Sequence, residues 1–199
     1  MKKGKVIIIA IACICLICGG FYWSMQESQQ KETELTEVQK IITKDLENDY
    51  PKTPREVIKF YNRIAKCYYS LNNITGNASE KLTEEEINGL VDQMMCLFDK
   101  ELLAVNPREE YYDSVVLDIA VYTQEDKYIA TTDVCDSNEV IQMKDGDDEI
   151  AYVEGSFFIN EKGTFYDVFQ KYVLRKDEEG KWKIITFYQI EGDSSDDDK

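Results

Sequence analysis

The sequence predicts an α+β domain: helices packed in the concave face of a curved antiparallel sheet of about four strands, behind an N-terminal membrane helix. Three observations carry this. Helix caps and 3.6-residue apolar periodicity dominate the chain up to about residue 124. From residue 128 onward, segments rich in β-branched and aromatic residues alternate with Gly-containing turns. Residues 6–23, "VIIIAIACICLICGGFYW", form an uncharged and mostly apolar run of 18 residues. Helices followed by a strand meander give an α+β order rather than βαβ units. With 43% hydrophobic and 12% aromatic residues in 199, the chain has material for a core.

The apolar run reads as an uncleaved signal anchor. Lys2, Lys3 and Lys5 precede it, forming a basic end at residues 1–5, and the first acid is Glu27. Positive flanks stay in the cytoplasm, so the remainder is expected outside it. Phe21, Tyr22 and Trp23 sit where an interfacial aromatic belt would lie. A cleaved signal peptide needs a small-residue site after the run, and Ala10–Ala12 comes too early. A lipoprotein reading rests on "IAIAC", ending at Cys13, but ten more uncharged residues follow. Cys13, Cys15 and Cys18 then serve as small apolar residues in lipid.

Residues 24–52 are expected to form a polar stalk. Leu35, Val38, Ile42 and Leu46 recur at helical spacing within it. It reads as a spacer, with a short self-associating coil as the alternative. "NDYPKTP" marks its end, and the extracytoplasmic domain is placed at residues 53–191.

That domain opens with a capped helix. Thr53 is a good N-cap, Pro54 suits the first helical position, and Glu56 completes a capping box. Val57, Phe60, Tyr61, Ile64, Ala65 and Tyr68 share one face; Arg55, Lys59, Arg63 and Lys66 share the other. A second helix opens on a Thr83–Glu86 capping box. It buries Ile87, Leu90, Val91, Met94, Phe98 and Leu102, and stops at Asn106–Pro107. In the following segment Val115, Leu117, Ile119 and Val121 fit alternation. Tyr112, Val115, Val116, Ile119 and Tyr122 fit a helix, which the Pro-Arg-Glu-Glu start and the length favour.

"YIATTDVCD" is then a candidate edge strand and "EIAYVEGSFFIN" a firmer one. "EKG" turns into "TFYDVFQKYVLRK", and "DEEGK" turns into "WKIITFYQIE". Both long strands carry apolar residues on each face. The sheet should therefore be covered by helices on one side and partly by loops or a partner on the other. Long strands bent around helices make a cone with a cavity at its wide end. Residues 192–199, "GDSSDDDK", read as an acidic disordered tail.

"TPREVIKFYNRI" near the start and "RKDEEGKWKIITFYQIEG" at the end resemble the nuclear transport factor 2-like superfamily, whose fold is such a cone. More narrowly, "DLENDYPKTPREVIKFYNRIAKCYY" with "LFDKELLAVNP" looks like an uncharacterised family of small membrane-anchored proteins from Gram-positive anaerobic gut bacteria. The narrower likeness covers roughly residues 35–191 and lends no function. The superfamily implies either a tethered scaffold domain of an envelope or secretion-type assembly, or a cavity enzyme with an Asp or His beside a Tyr. Fold alone does not choose between these.

The residues narrow the chemistry. There is no histidine, which removes Ser-His-Asp and Cys-His pairs, histidine bases and the usual zinc ligands. No metal or cofactor is predicted. The formal net charge of −16 becomes more negative once the three N-terminal lysines are set aside, so a nucleic-acid partner is excluded. Asp167, flanked by Phe165 and Phe169, is the only carboxylate considered as a general base, for a lyase or isomerase. It would need to face the cavity; facing outward it is a surface charge. Tyr61, Tyr68, Tyr152, Tyr166, Tyr172, Tyr188 and Trp182 are the pocket- or core-lining candidates. "KDGDDE" at 144–149 lacks calcium-loop spacing and reads as a solvated hairpin turn. Arg55, Lys59, Arg63 and Lys66 could dock an acidic partner or another copy's stalk, or serve the fold internally. Cys67, Cys96 and Cys135 cannot all pair, and a Cys67–Cys96 bridge is one option. The leading expectation is a non-catalytic, membrane-anchored binding or interaction domain.

Overall fold

A computed structural model describes residues 35–70 and 81–191 of the chain. The expected anchor at residues 6–23 and tail at 192–199 lie outside the described residues. Among the described residues no helix is long and apolar enough to cross a membrane.

Among the described residues five helices come first: α1 (Glu37–Ile42), α2 (Pro54–Ser70), α3 (Glu84–Met95), α4 (Lys100–Val105) and α5 (Arg108–Gln124). Five strands follow: β1 (Lys127–Val134), β2 (Ile141–Asp145), β3 (Asp148–Glu161), β4 (Thr164–Lys176) and β5 (Trp182–Ile190). The class is α+β, with an antiparallel open sheet of five strands rather than about four.

Three helices start on the same reciprocal device. Thr36 with Gln39, Thr53 with Glu56, and Thr83 with Glu86 each exchange side-chain and backbone hydrogen bonds, satisfying N–H groups that the first turn leaves orphaned. The apolar face read for the second of these helices, α2, is buried in full, from Val57 to Tyr68.

The sheet runs β1-β3-β4-β5, and β2 pairs with the other half of the same β3 edge that β1 uses. Two-residue turns close the β2–β3 and β3–β4 hairpins, and residues 177–181 join β4 to β5. Lys162 and Gly163 both take positive φ between β3 and β4, which glycine supplies at no steric cost. Along β3 and β4 the inward residues alternate: Ala151 faces Leu174, Val153 faces Tyr172, and Phe157 faces Val168. Helices α2, α4 and α5 lie against this inner side or its edges.

Two boundaries differ from the sequence reading. Residues 36–52, expected as the end of a stalk, are part of the folded unit. Val38, Ile41 and Leu46 belong to its buried core, Gln93 Nε2 donates to the Ile42 and Lys44 carbonyls, and Tyr50 donates to the Trp182 carbonyl at 2.8 Å. The long second helix breaks after Met95. There Phe98 forms a parallel bridge with Ile184, which extends the β5 edge, and Asp99 caps a separate helix, α4. The segment that follows Pro107 is the helix α5 (Arg108–Gln124), although only Val115 in it is buried.

Candidate functional site

The tyrosine candidates divide between three places. Tyr61, Tyr68 and Tyr172 are buried between α2 and the inner sheet face. The Tyr61 ring meets Tyr172 edge-on at 5.3 Å and lies 5.8 Å from Phe187. Tyr166 is half-buried, and its hydroxyl donates to Glu161 Oε2 at 3.0 Å. Tyr152 and Tyr188 project from the opposite, outer face, since they pair with Val173 and Lys171 rather than with inward residues. Trp182 is a core residue. The structure therefore does not bring the six tyrosines into one pocket.

Three half-buried tyrosines that were not among the pocket candidates, Tyr69, Tyr111 and Tyr122, pack at the margin of the core. Tyr69 stacks on Tyr122 at 4.4 Å, and Tyr111 meets Phe98 edge-on at 5.5 Å. Their helical spacing was available as a signal, but α5 presents apolar residues around its circumference and gives no single stripe. Burial pushes the hydroxyls of Tyr61, Tyr68, Tyr69 and Tyr111 above the ordinary phenol range. They stay protonated, so none is a phenolate base. Tyr172 donates to Gln170 Oε1 at 2.7 Å and lies 3.3 Å from Asn62 Oδ1, while Asn62 binds the Asp133 carbonyl. The Tyr68 hydroxyl is buried without a partner.

Asp167 is exposed on the outer face of β4, opposite Phe158. The side chain does not enter the interior, so it does not reach the cavity side that the base reading requires.

Half of the basic stripe serves the fold. Arg55 donates to the Cys135 and Val134 carbonyls, tying the start of α2 to the end of β1. Arg63 pairs with Glu37 at 2.8 Å and fastens α1. Lys59 is exposed and Lys66 half-buried. Cys67, Cys96 and Cys135 are free thiols, so the Cys67–Cys96 bridge is not formed. Burial pushes the Cys67 thiol up to about 11, which keeps it inert. Among the described residues no group of three or more His, Cys, Asp or Glu side chains could hold a metal ion.

Two surface features remain. One is an open groove of about 860 Å³ beside α4, floored by Met95, Phe98 and Leu103. Its cations are largely engaged by the fold: Arg175 with Asp99 and Glu101, Arg108 with Asp92, Lys176 with Glu149, and Lys183 with the Cys96 carbonyl.

The other is the outer sheet face. Ile141 is 58% exposed, Met143 50%, Phe165 51% and Tyr188 47%. Tyr152, Phe158, Phe169, Val173 and Ile190 lie half-buried between them. Phe158 and Phe165 stack at 5.1 Å on this side. No described helix packs over it. Apolar residues on both faces of the two long strands were visible in the sequence, and this is their consequence.

A family model described as Domain of unknown function (DUF6715) matches residues 1–187. The chain belongs to that family. A comparison with curated proteins finds no match.

Proposed function

We infer that this DUF6715 protein is a non-catalytic interaction domain that uses the outer face of its sheet. The observation that supports this is the single-layer cover. Helices bury the inner face, while the outer face presents Ile141, Met143, Tyr152, Phe158, Phe165, Phe169 and Tyr188 with no described element above them. Contiguous exposed apolar patches of this kind mark interaction sites in soluble domains. The domain is proposed to stand outside the cytoplasm, held to the cell membrane through residues 6–23, which places the sheet where envelope partners can reach it. The sequence likenesses to the nuclear transport factor 2-like superfamily and to the membrane-anchored family of gut bacteria support this setting, and the helix-then-meander order is one that the first of them would share. In that setting a scaffold role in an envelope assembly follows naturally. A lyase or isomerase reading through Asp167 gains no support from an exposed carboxylate.

Photo-crosslinking tests the reading. A photoreactive side chain replacing Phe165 in the full chain, activated in intact cells, should give a discrete higher-mass adduct. The same group replacing Glu178, in the β4–β5 turn, should not. No adduct from position 165 would remove the interaction reading.

A further inference from the structure

This inference rests on the interaction reading and names the partner. We propose that the outer sheet face packs against the same face of a second copy of this chain, about a two-fold axis that follows the β3–β4 seam. Three observations point to it.

The first is size. The twelve-residue pairing of β3 with β4 is about 40 Å long at about 3.3 Å per residue; three strands span about 14 Å along it, and β5 adds about 5 Å over the stretch from Phe169 to Lys176. The resulting face of about 700 Å² is near the roughly 800 Å² per partner of a stable interface.

The second is charge. Lys171 and Glu154 are directly opposite across the seam and pair at 2.7 Å, near its middle. An axis along the seam superposes each position on the other. Lys171 of one copy then faces Glu154 of the next, and the contact is repeated by symmetry. Each charge can serve the neighbouring copy as well as its own. Of the other acids on this face, Asp133 and Asp167 lie toward its Phe165 half and Asp145 and Asp148 toward its Met143 end, where Arg175 pairs with Asp148 at 3.5 Å. In a chain of net charge −16, a cation–anion pair at the centre is what lets two acidic copies approach.

The third is the placement of apolar groups. The stacked Phe158 and Phe165, with Phe169 and Ile190, lie toward one end of the seam. Tyr152, Val173, Ile141 and Met143 lie toward the other. An axis parallel to the strands brings each end onto itself, aromatic on aromatic and aliphatic on aliphatic. Aligned sheets pack in this way in sandwiches.

The test uses the full chain carrying either of two affinity tags, co-expressed, cross-linked in the membrane before solubilisation, and purified on one tag. The two wild-type chains should co-purify. A Lys171→Glu chain presents two acids at the centre and a Glu154→Lys chain two bases. Each should lose self-capture by at least tenfold, while the Lys171→Glu chain should capture the Glu154→Lys chain at close to the wild-type level. Neither side chain is buried, so folding is retained, and a circular dichroism spectrum checks it. Wild-type chains that never co-purify, or variants that co-purify equally in every combination, would overturn the proposal. If wild-type copies stay apart while position 165 still cross-links to a different protein, the second-copy inference fails and the interaction reading stands. If position 165 gives no adduct at all, both fail.

Discussion

Arg175 grips Asp99 with two hydrogen bonds, Nη2 to Oδ1 at 2.7 Å and Nε to Oδ2 at 3.3 Å. The pair links strand β4 to the residue that caps α4, across 76 positions of sequence. Asp99 is buried, and its Oδ1 also accepts from the Glu101 amide. Removing the carboxylate strips the half-buried Arg175 guanidinium of its one buried partner, leaving Glu101 and Asp148, and uncaps a helix. Asp99→Ala should therefore lower stability by about 3 kcal/mol, read as a shifted urea midpoint with an unchanged slope.

The same pair sets an acid limb. Burial pushes the Asp99 carboxyl up, but the Arg175 hydrogen bonds and the Glu101 amide outweigh it and hold the group below its ordinary value of 3.8. A carboxyl depressed in the fold stabilises fully above the unfolded value and loses that contribution as pH falls through the folded one. Unfolding free energy should thus fall more steeply below pH 3.8 in the parent than in Asp99→Asn. Equal slopes in the two proteins would contradict the assignment.

Two tyrosine hydroxyls should respond oppositely to deletion. The Tyr68 hydroxyl is buried with no partner, so Tyr68→Phe removes an uncompensated desolvation and should raise stability by about 1 kcal/mol. Tyr172 bonds Gln170 beside Asn62, so Tyr172→Phe should lower it by about 1 kcal/mol. Thermal melts of the two single variants settle the contrast by the sign of the shift.

Gly89 lets α3 meet α1. A Cβ there would stand 2.9 Å from Ile42 Cγ2 and 3.2 Å from Ile42 Cβ, too close for either to stay. Gly89→Ala should speed amide exchange across residues 37–46 while leaving β3 and β4 protected, because the contact fastens α1 alone. Uniform exchange changes would contradict that.

What was legible in the sequence was local. Thr53, Pro54 and Glu56 announce α2, and its six apolar positions repeat at the helical period, so its buried face could be read without any partner. The turns at "EKG" and "DEEGK" combine glycine with flanking alternation, so β3, β4 and β5 could be read too. What failed was short or distant. Helix α1 has six residues and buries only Val38 and Ile41; the helical spacing of Leu35, Val38, Ile42 and Leu46 was visible, but nothing local showed what it packs against, so it passed for stalk. Strand β2 is exposed at all five positions and has no buried alternation. The run from Met94 to Leu103 stays helical in pattern. The chain leaves the helix there because Phe98 bridges Ile184 and Asp99 meets Arg175, contacts that no local window contains. Asp167 was considered because its neighbours are aromatic. Those aromatics turned out to belong to the outer face, which made the same pattern evidence for a surface.

The most direct measurement on the central claim is a paired one on the Phe165→Ser, Tyr188→Ser double variant of the full chain. An outer face kept for a partner contributes little to the fold of a single copy, so the urea unfolding free energy should change by less than about 0.5 kcal/mol, while cross-linked complexes formed in the membrane disappear. A loss of stability of about 2 kcal/mol or more, or complexes that survive both substitutions, would show that the outer face belongs to the chain's own core or to no interface.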